Sequence, residues 1–352
     1  MLIIWWITFV LLLLRFLITA LNYWFPQQLN EEPGAVTDLV SILIPVRNEE
    51  NNIKLLLDSI YEQDFKNYEV IVMDVSSKDD TTQIVQECRK TDSKVRLVQG
   101  KELPDGLSGT NQARHQLAQV AKGKYLLFPD TRTQIKPGFI KNAVNLLKRE
   151  NLALLSVFPD QLMESREEKL LVPLKNYLLL TLLPMFLLRK SALPAFAFAD
   201  GQCTLYDAAV YKKIKPGPNT ESKISDDASG MNRLKELGYN VHSVLGNGFI
   251  QCRLYRSYSE GLEDFSENIL SFFGRSITIL ALFLFFTLFS YAVFLWSIPK
   301  TNVWLAFIII VYMRIMISKL SRQNIFDNIV YHPWQMFTLI HISLLAIQKK
   351  MS

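Results

Sequence analysis

Cysteine is scarce in this chain, and its few copies stand far apart. The 352 residues contain three cysteines, Cys88, Cys203 and Cys252, none of which belongs to a CxxC pair. An odd number of widely spaced thiols excludes a disulfide framework and offers no ligand set for a structural zinc ion. We therefore expect free thiols in a reducing compartment.

Several signature motifs are also absent. No GxGxxG follows the first predicted strand, and GxxxxGK[ST], GxSxG and HExxH do not occur. The four histidines share no metal-ligand spacing. These absences argue against dinucleotide-binding, P-loop, hydrolase and zinc-protease chemistry, because each of these needs its motif to hold a phosphate, a nucleophile or a metal.

A strong excess of charge is missing as well. The formal net charge is +5, from 38 basic and 33 acidic residues. Duplex nucleic acid calls for a concentrated basic stripe, so this balance fits an anionic membrane surface or a phosphorylated substrate better, and no nucleic-acid partner is expected. With 49% hydrophobic residues, 14 glycines and 14 prolines, the chain is neither disordered nor collagen-like.

What the sequence does contain is long apolar runs at both ends. Residues 3–24 carry one charge, Arg15, and are long enough to cross roughly 30 Å of hydrocarbon as a helix. The run has no basic start and no small-residue cleavage site, which excludes a signal peptide. We predict an N-terminal transmembrane anchor over residues 1–26, with aromatic residues at its ends.

Near the carboxyl terminus, runs 277–296 and 303–318 are separated by a short turn and predict a transmembrane hairpin. Run 334–347 is shorter and either crosses the membrane or lies at its interface. Basic residues flank the hairpin on the side of the central segment, so the positive-inside rule places that segment in the cytoplasm. The expected architecture is an integral membrane protein whose C-terminal transmembrane region covers residues 273–352.

Between these ends lies a segment of ordinary enzyme size, residues 27–272, in which predicted strands alternate with predicted helices. Continuous apolar runs rich in β-branched residues predict strands that are buried on both faces. The alternation predicts an α/β fold with a mostly parallel sheet. The predicted strands are 39–46, 68–73, 95–98 and 125–128, and the predicted helices are 53–60, 81–90 and 109–121.

Polar residues follow three of these strands. Asn48 and Glu49 follow the first strand, residues 74–81 follow the second, and Asp130 follows the fourth. Taken singly, each cluster is also explained as a helix cap or a turn. Because parallel sheets bind ligands at the carboxyl ends of their strands, three clusters at one edge predict a single site.

The chain resembles family 2 glycosyltransferases with the GT-A fold, a Rossmann-like nucleotide-sugar-binding domain, over residues 40–268. The resemblance rests on SILIPVRNEENNI, MDVSSKDDTTQIV, the stretch ending in FPDTRT, and ISDDASGMNRLKELGYNV. A further segment, RLYRSYSEGLEDFSENI, is similar to a membrane-proximal part of transferases that act on carotenoid or other lipid acceptors. The resemblance implies a nucleotide-diphosphate sugar as donor and a lipid or carotenoid-like molecule as acceptor.

The resemblance also implies roles for individual carboxylates. Asp227 corresponds to the base that deprotonates the acceptor hydroxyl in inverting members, and Asp226 corresponds to its acidic neighbour. The same pair also has the pattern of a helix N-cap. Asp130 corresponds to the first Asp of the DxD motif, close to the ribose and the metal-bound diphosphate. The implied nucleoside pocket is lined by Glu49, Asp74 and Asp79.

Three positions depart from the family pattern. The second Asp of DxD is Arg132, the second Asp of the acidic loop is Val75, and the usual Lys of a GK pair is Thr110. The family implies a divalent cation, Mg²⁺ or Mn²⁺, at Asp130, but an arginine is no ligand for it. The hypothesis is that Arg132 places its own charge near the diphosphate. The same substitutions also suit a chain that has lost catalysis and serves as a scaffold.

An apolar run, residues 168–190, interrupts the polar segment. Pro173, Lys175 and Pro184 argue against a straight transmembrane helix here. We predict a helix that lies at the membrane interface and presents a dissolved acceptor to a cytoplasmic donor, with a core helix of the acceptor subdomain as the alternative.

Together these features predict a membrane-bound enzyme that transfers a single sugar to a lipid-soluble acceptor. A processive polysaccharide synthase is the nearest alternative enzyme. Its QxxRW motif is matched here only by Gln251, an arginine at 253 or 256, and Tyr255 in place of the tryptophan. The chain also has few helices with which to enclose a polymer channel.

Overall fold

The computed structural model describes every residue except 1, 101–108, 191–197, 200, 215–226, 256, 297–300 and 352. The chain divides into two compact units. A helical unit contains Met1–Pro26, Gln161–Leu187 and Arg253–Ser352, and an α/β unit contains Gln27–Asp160 and Leu188–Cys252. This division differs from the predicted central segment 27–272, because residues 161–187 and 253–272 belong to the helical unit.

The described helices and strands are numbered in chain order. The helices are α1 Leu2–Trp24, α2 Ile53–Tyr61, α3 Thr81–Thr91, α4 Gly109–Val120, α5 Phe139–Arg149, α6 Arg166–Leu182, α7 Met185–Lys190, α8 Ala208–Ile214, α9 Asp227–Glu236, α10 Tyr258–Asn268, α11 Ile277–Trp296, α12 Thr301–Leu320, α13 Ile325–Val330 and α14 His332–Met351. The strands are β1 Val40–Val46, β2 Tyr68–Asp74, β3 Val95–Gln99, β4 Tyr125–Pro129, β5 Thr133–Ile135, β6 Leu154–Phe158, β7 Asp160–Gln161, β8 Cys203–Asp207, β9 Val241–Leu245 and β10 Ile250–Cys252.

A seven-stranded sheet with the order β3-β2-β1-β4-β8-β6-β9 forms the centre of the α/β unit. Strand β1 pairs in parallel with both β2 and β4, and β2 pairs in parallel with β3. Strand β8 runs antiparallel to its neighbours β4 and β6, and β6 pairs in parallel with β9. The predicted α/β fold with a mostly parallel sheet is confirmed, and the carboxyl ends of β2, β1 and β4 lie side by side.

Strand β1 shows why its sequence is apolar without interruption. Ile42 and Ile44 point into one core, which α2, α3 and α5 cover, whereas Leu43 points into a second core beneath α4, α8 and α9. Side chains alternate between the two faces of a strand, so a strand covered on both faces needs an apolar residue at nearly every position. The central strands therefore hold the sheet edge rigidly in place.

The helical unit exposes many large apolar side chains and buries several polar ones in addition to its apolar core. On α1, Thr8, Thr19 and Asn22 are buried while Val10 and Leu17 are exposed. Helices α12 and α14 follow the same rule, with exposed large apolar side chains and buried polar ones. The exposed set includes Trp304, Phe307, Ile308, Trp334, Phe337 and Leu344, and the buried set includes Arg314, Ser318, Gln335, Thr338 and Ser343.

The apolar run predicted at the membrane interface, residues 168–190, forms most of α6 and all of α7. Most of the side chains of α6 are buried, and it contacts α1, α10, α12, α13 and α14. A capping box begins the helix, with Glu168 N–H donating to the Ser165 hydroxyl at 3.1 Å, and the helix continues through Pro173. This burial on most sides matches the alternative of a core helix, because a helix lying in an interface leaves one apolar face uncovered by protein.

One helix of the described residues is long and apolar enough to cross a membrane by itself, over Trp6–Trp24. The pair Tyr258–Phe273 and Ile277–Thr287 reaches that composition only as a single span, and it is bent by 96°. The predicted hairpin runs are both helical, as α11 and α12, and the last run lies within α14. The N-terminal run is thus confirmed as a candidate span, and the C-terminal runs are confirmed as helices.

Gly123 packs against β1 so closely that no side chain fits. A Cβ at this position would lie 2.5 Å from the Ser41 backbone nitrogen and 2.9 Å from the Leu39 carbonyl oxygen. We expect Gly123→Ala to destabilise the α/β unit by about 1–3 kcal/mol, because β1 must shift to admit the methyl group. Chemical denaturation followed by far-UV circular dichroism measures the change.

The matched control is Gly230→Ala in α9. There, among the described residues, an added Cβ meets the Tyr206 hydroxyl at an ordinary 3.6 Å. Alanine also favours a helix over glycine by about 1 kcal/mol. This control is expected to be neutral or slightly stabilising. Equal stability of the two variants would contradict the close approach at Gly123.

Candidate functional site

The loops that follow β1 and β2 are joined by hydrogen bonds. The Asn48 N–H donates to the Ser77 hydroxyl at 3.1 Å, and the Lys78 N–H donates to the Asn48 side-chain oxygen at 2.9 Å. The Glu49 N–H donates to the Thr81 hydroxyl at 2.8 Å. The two loops therefore form one fixed rim at the carboxyl ends of the strands.

Asp74 lies at the end of β2 and holds its own loop in shape. Its Oδ1 accepts from the Ser77 N–H at 2.9 Å and from the Ser77 hydroxyl at 2.6 Å, and its Oδ2 accepts from the Thr82 hydroxyl. Asp74 is only 2% exposed. Both carboxylate oxygens are thus engaged within the loop, so Asp74 braces its shape, and its place in a nucleoside pocket stays a prediction.

Asp79 is also engaged within the rim. Its Oδ1 accepts from the Thr81 hydroxyl at 2.6 Å, and its Oδ2 accepts from the Glu50 N–H at 3.2 Å. Burial raises the pKa of Asp79, but the hydrogen bonds from Thr81 and from the Glu50 backbone outweigh it and lower the pKa below its usual value. Asp79 therefore remains an acceptor that fastens the two loops together.

A cavity of about 370 Å³ opens beside this rim, between the ends of β1 and β4 and helix α4. Its polar lining consists of three arginines and two carboxylates, together with Thr131. The charged residues are Arg47, Glu49, Arg114, Asp130 and Arg132. Neither Asp74 nor Asp79 lines the cavity. Of the seven predicted site residues, the structure thus brings Glu49, Asp130 and Arg132 together.

Asp130 and Arg132 form a two-pronged ion pair at the end of β4. Arg132 Nε donates to Asp130 Oδ1 at 3.0 Å, and Arg132 Nη2 donates to Asp130 Oδ2 at 3.0 Å. The Arg132 backbone N–H also donates to Oδ1, at 2.9 Å. Burial raises the pKa of Asp130, but hydrogen bonds and charge from Arg132, with the charge of Arg114, outweigh it and lower the pKa. Asp130 is an anion at neutral pH.

Two arginines of the cavity were not singled out from the sequence. Arg47 directly follows β1, so the position of the predicted sheet edge was a usable signal. Arg114 lies in α4, one turn beyond Thr110, where the family places a lysine. Its Nη2 donates to the Gly201 carbonyl at 3.2 Å, and its guanidinium lies 5.6 Å from the centre of the Phe128 ring. Arg114 thus supplies a cation to the cavity from α4.

The donor set around Asp130 does not fit a divalent cation in the part of the chain that the structure describes. Those residues contain no group of three or more His, Cys, Asp or Glu side chains able to hold a metal ion. Mg²⁺ and Mn²⁺ prefer several oxygen ligands, and both oxygens of Asp130 face Arg132 instead. The described geometry thus does not fit a metal at Asp130, and that assignment stays a prediction.

The predicted base and its neighbour lie at the start of α9. Asp227 is the first residue of this helix, and its side chain lies outside the described part of the structure. Asp226 lies wholly outside the described residues. Their roles stay predictions.

Arg253 and Tyr255, two of the residues in the partial match to QxxRW, form contacts within the helical unit. Arg253 donates to Glu168 from Nε at 3.0 Å and from Nη2 at 2.8 Å, and its Nη1 contacts Glu164 at 2.5 Å. The Tyr255 hydroxyl donates to Asp264 at 2.5 Å. These contacts hold segments of the helical unit together, and neither residue lines the arginine-rich cavity.

The different roles of Asp74, at the end of β2, and Glu49, after β1, can be tested. We expect Asp74→Ala to destabilise the protein by about 1–3 kcal/mol, because three donors lose their buried acceptor. Glu49→Ala is the matched carboxylate control. It is expected to change the free energy of unfolding by less than about 1 kcal/mol, because among the described residues the Glu49 carboxylate accepts a single part-buried hydrogen bond, from the Asn52 side chain at 2.9 Å. The denaturant midpoints of the two variants measure this difference. Equal losses of stability in both variants would contradict the bracing role of Asp74.

The chain is similar in sequence to known glycosyltransferases. The model of the family described as Glycosyl transferase family 2 matches residues 41–215. A GalNAc(5)-diNAcBac-PP-undecaprenol beta-1,3-glucosyltransferase of Campylobacter jejuni is 27% identical over 125 residues, which are 36% of this chain and 38% of that protein. The Escherichia coli UDP-Glc:alpha-D-GlcNAc-diphosphoundecaprenol beta-1,3-glucosyltransferase WfaP is 30% identical over 115 residues, 33% of this chain and 43% of that protein. The match thus spans less than half the length of these relatives.

Among solved structures, the mannosyltransferase PcManGT from Pyrobaculum calidifontis, in complex with GDP-Man and Mn²⁺, has a similar fold. The TM-score is 0.59 at 18% sequence identity, and the alignment covers 99% of both chains. The shared fold, the sheet order and the family match agree with one another. Residues 41–215 of this chain form a glycosyl transferase family 2 domain.

Proposed function

We propose that this chain is a glycosyltransferase that moves a single sugar from a nucleotide-diphosphate donor to a lipid-soluble acceptor. The observation that carries the proposal is the arginine-rich cavity at the carboxyl ends of β1 and β4, within the family 2 domain. Ligands of parallel sheets bind at this edge. A relative named for UDP-Glc and a fold neighbour bound to GDP-Man support a nucleotide-sugar donor.

The cavity suits the leaving group of such a reaction. A nucleoside diphosphate departs with the electrons of the broken bond between the sugar and the phosphate oxygen. Arg47, Arg114 and Arg132 supply positive charge where that negative charge develops, which lowers the barrier. The rim formed by the β1 and β2 loops, with Glu49 at its edge, is the proposed nucleoside wall.

The proposed base is Asp227, with Asp226 as its acidic neighbour. The carboxylate takes the proton of the acceptor hydroxyl, the hydroxyl oxygen forms the new bond to the sugar, and the nucleoside diphosphate leaves. Inversion at the sugar carbon follows from a single displacement of this kind. The support for these two residues is their match to the family's acidic loop and the position of Asp227 at the start of α9.

The helical unit supports a membrane location and a lipid acceptor. This unit exposes many large apolar side chains and buries several polar ones within its apolar core, which suits a surface in contact with lipid rather than water. Trp6 and Trp24, at the two ends of the Trp6–Trp24 span, are 52% and 67% exposed. We therefore propose an integral membrane protein whose catalytic domain faces the cytoplasm. Relatives named for undecaprenol-linked substrates fit an acceptor of this class.

Transfer activity and the role of Asp227 are tested together. Purified protein in detergent is given UDP- and GDP-sugars with a lipid extract, and products are followed by mass spectrometry. We expect a hexose-sized mass increase in one lipid, lost by at least about 10²-fold in Asp227→Asn, since a positioned base contributes roughly 10²–10⁴-fold. Binding of the nucleotide should remain unchanged.

The matched control is Asp264→Asn, an acidic residue of α10 outside the cavity and the α9 start. If the wild-type and Asp227→Asn proteins are equally inactive with every donor, and a partner enzyme still requires this protein, the result would favour a non-catalytic scaffold. Addition of many sugars to one lipid would favour a processive synthase.

Tryptophan fluorescence can test the proposed membrane location. All six tryptophans lie in segments 1–26 and 253–352, which belong to the helical unit. Protein reconstituted into vesicles containing brominated lipid should lose most of its tryptophan fluorescence, whereas vesicles of the same lipid without bromine should leave it unchanged. Trp304 and Trp334 are 66% and 60% exposed, so they should account for most of the quenching. Fluorescence that bromine does not quench would contradict the membrane location.

A further inference from the structure

We infer that Arg132, together with Arg47 and Arg114, neutralises the donor diphosphate in place of a divalent cation, so that the nucleotide binds without metal. This inference rests on the proposed function and concerns the same cavity. It differs from the family pattern, in which the DxD motif holds a cation, and it follows from how the side chains of this chain are arranged.

The first support is the state of Asp130. Its two carboxylate oxygens each accept a side-chain N–H of Arg132 at 3.0 Å, and the Arg132 backbone N–H adds a third bond at 2.9 Å. A cation at Asp130 would have to displace these bonds and lie beside a guanidinium of the same sign. The planar fork of arginine matches a carboxylate at two points, so this pairing is held firmly in one geometry.

The second support is the position of the guanidinium. Asp130 holds it by Nε and Nη2, and the arginine side chain is 30% exposed at the wall of the cavity. The pair acts as a positioned cation: the carboxylate fixes the direction of the guanidinium, and the arginine side chain lines the cavity. Arginine N–H groups recognise phosphate oxygens at two points, as a bound metal would.

The third support is the charge balance of the lining. Three guanidiniums face two carboxylates, Glu49 and Asp130, within one cavity of about 370 Å³. The cavity therefore carries an excess of positive charge before any cation is added. The formal charge of these five groups is +1, so the lining attracts a nucleoside diphosphate and offsets part of its negative charge before any metal is bound.

Isothermal titration of the full-length protein in detergent with UDP and with GDP tests the inference. For whichever nucleotide binds, we expect the dissociation constants in EDTA and in Mn²⁺ to agree within about twofold. Arg132→Asp, which places a second carboxylate next to Asp130, is expected to bind at least about tenfold more weakly in EDTA and to recover when Mn²⁺ is added. Arg132→Gln should bind more weakly in both conditions.

The matched control is Arg96→Gln, a surface arginine of β3 whose guanidinium pairs with Glu69 at 3.7 Å, outside the cavity. It should bind as the wild type does. Wild-type binding that disappears in EDTA and returns with Mn²⁺ overturns the inference and leaves the proposed function standing. Absence of binding to either nucleotide in both conditions overturns both. If Arg132→Asp does not fold by circular dichroism, the wild-type comparison still decides.

Discussion

The parallel pairing of β1 with both β2 and β4 is the constraint on which the site depends. β1 is hydrogen bonded on both sides and covered on both faces, so its carboxyl end has little freedom to move. Because all three strands run in one direction, the loops after them meet at one edge. Every charged group of the cavity except Arg114 comes from the ends of β1 and β4, and Arg114 comes from the helix that leads into β4.

Within that edge, the acidic residues divide into two kinds. Asp74 and Asp79 spend their carboxylate oxygens on hydroxyl and backbone donors of the loops, so they fix the shape of the rim. Asp130 uses its oxygens on Arg132, so it fixes the direction of a cation. Hydrogen-bond partners, rather than residue type, decide which of these carboxylates shapes the wall and which one sets the charge that a ligand meets.

The two units differ in how they distribute polar and apolar side chains. The α/β unit buries its apolar side chains in two cores on either side of the sheet. In the helical unit, several buried polar side chains bond to neighbouring helices: Asn22, for example, donates to the carbonyls of Leu180 and Leu183 at 3.0 and 2.9 Å. Such contacts are valuable where no water competes for the donors and acceptors. One chain thereby combines a seven-stranded sheet with a unit of helices that hydrogen bond to one another.

The sequence by itself determined the elements of the α/β unit and their order along the chain. Apolar runs such as 39–46 and helical spacing such as 53–60 are local signals, and the structure places β1 and α2 within one residue of them. The family resemblance likewise rests on local motifs, and the family match over residues 41–215 confirms it. Glu49, Asp130 and Arg132 could be placed at one edge because strand direction and strand ends are readable from the sequence.

Only the tertiary structure decided which side chains share the cavity and what each one touches. Arg114 is separated from Asp130 by 16 positions in the sequence, and only the packing of α4 on the sheet brings it to the same wall. The engagement of Asp74 with Thr82 and the burial of α6 depend likewise on neighbours that no local pattern specifies. Local patterns set secondary structure through backbone propensity and side-chain periodicity, whereas hydrogen-bond partners and burial are fixed by long-range packing, which only the folded chain defines.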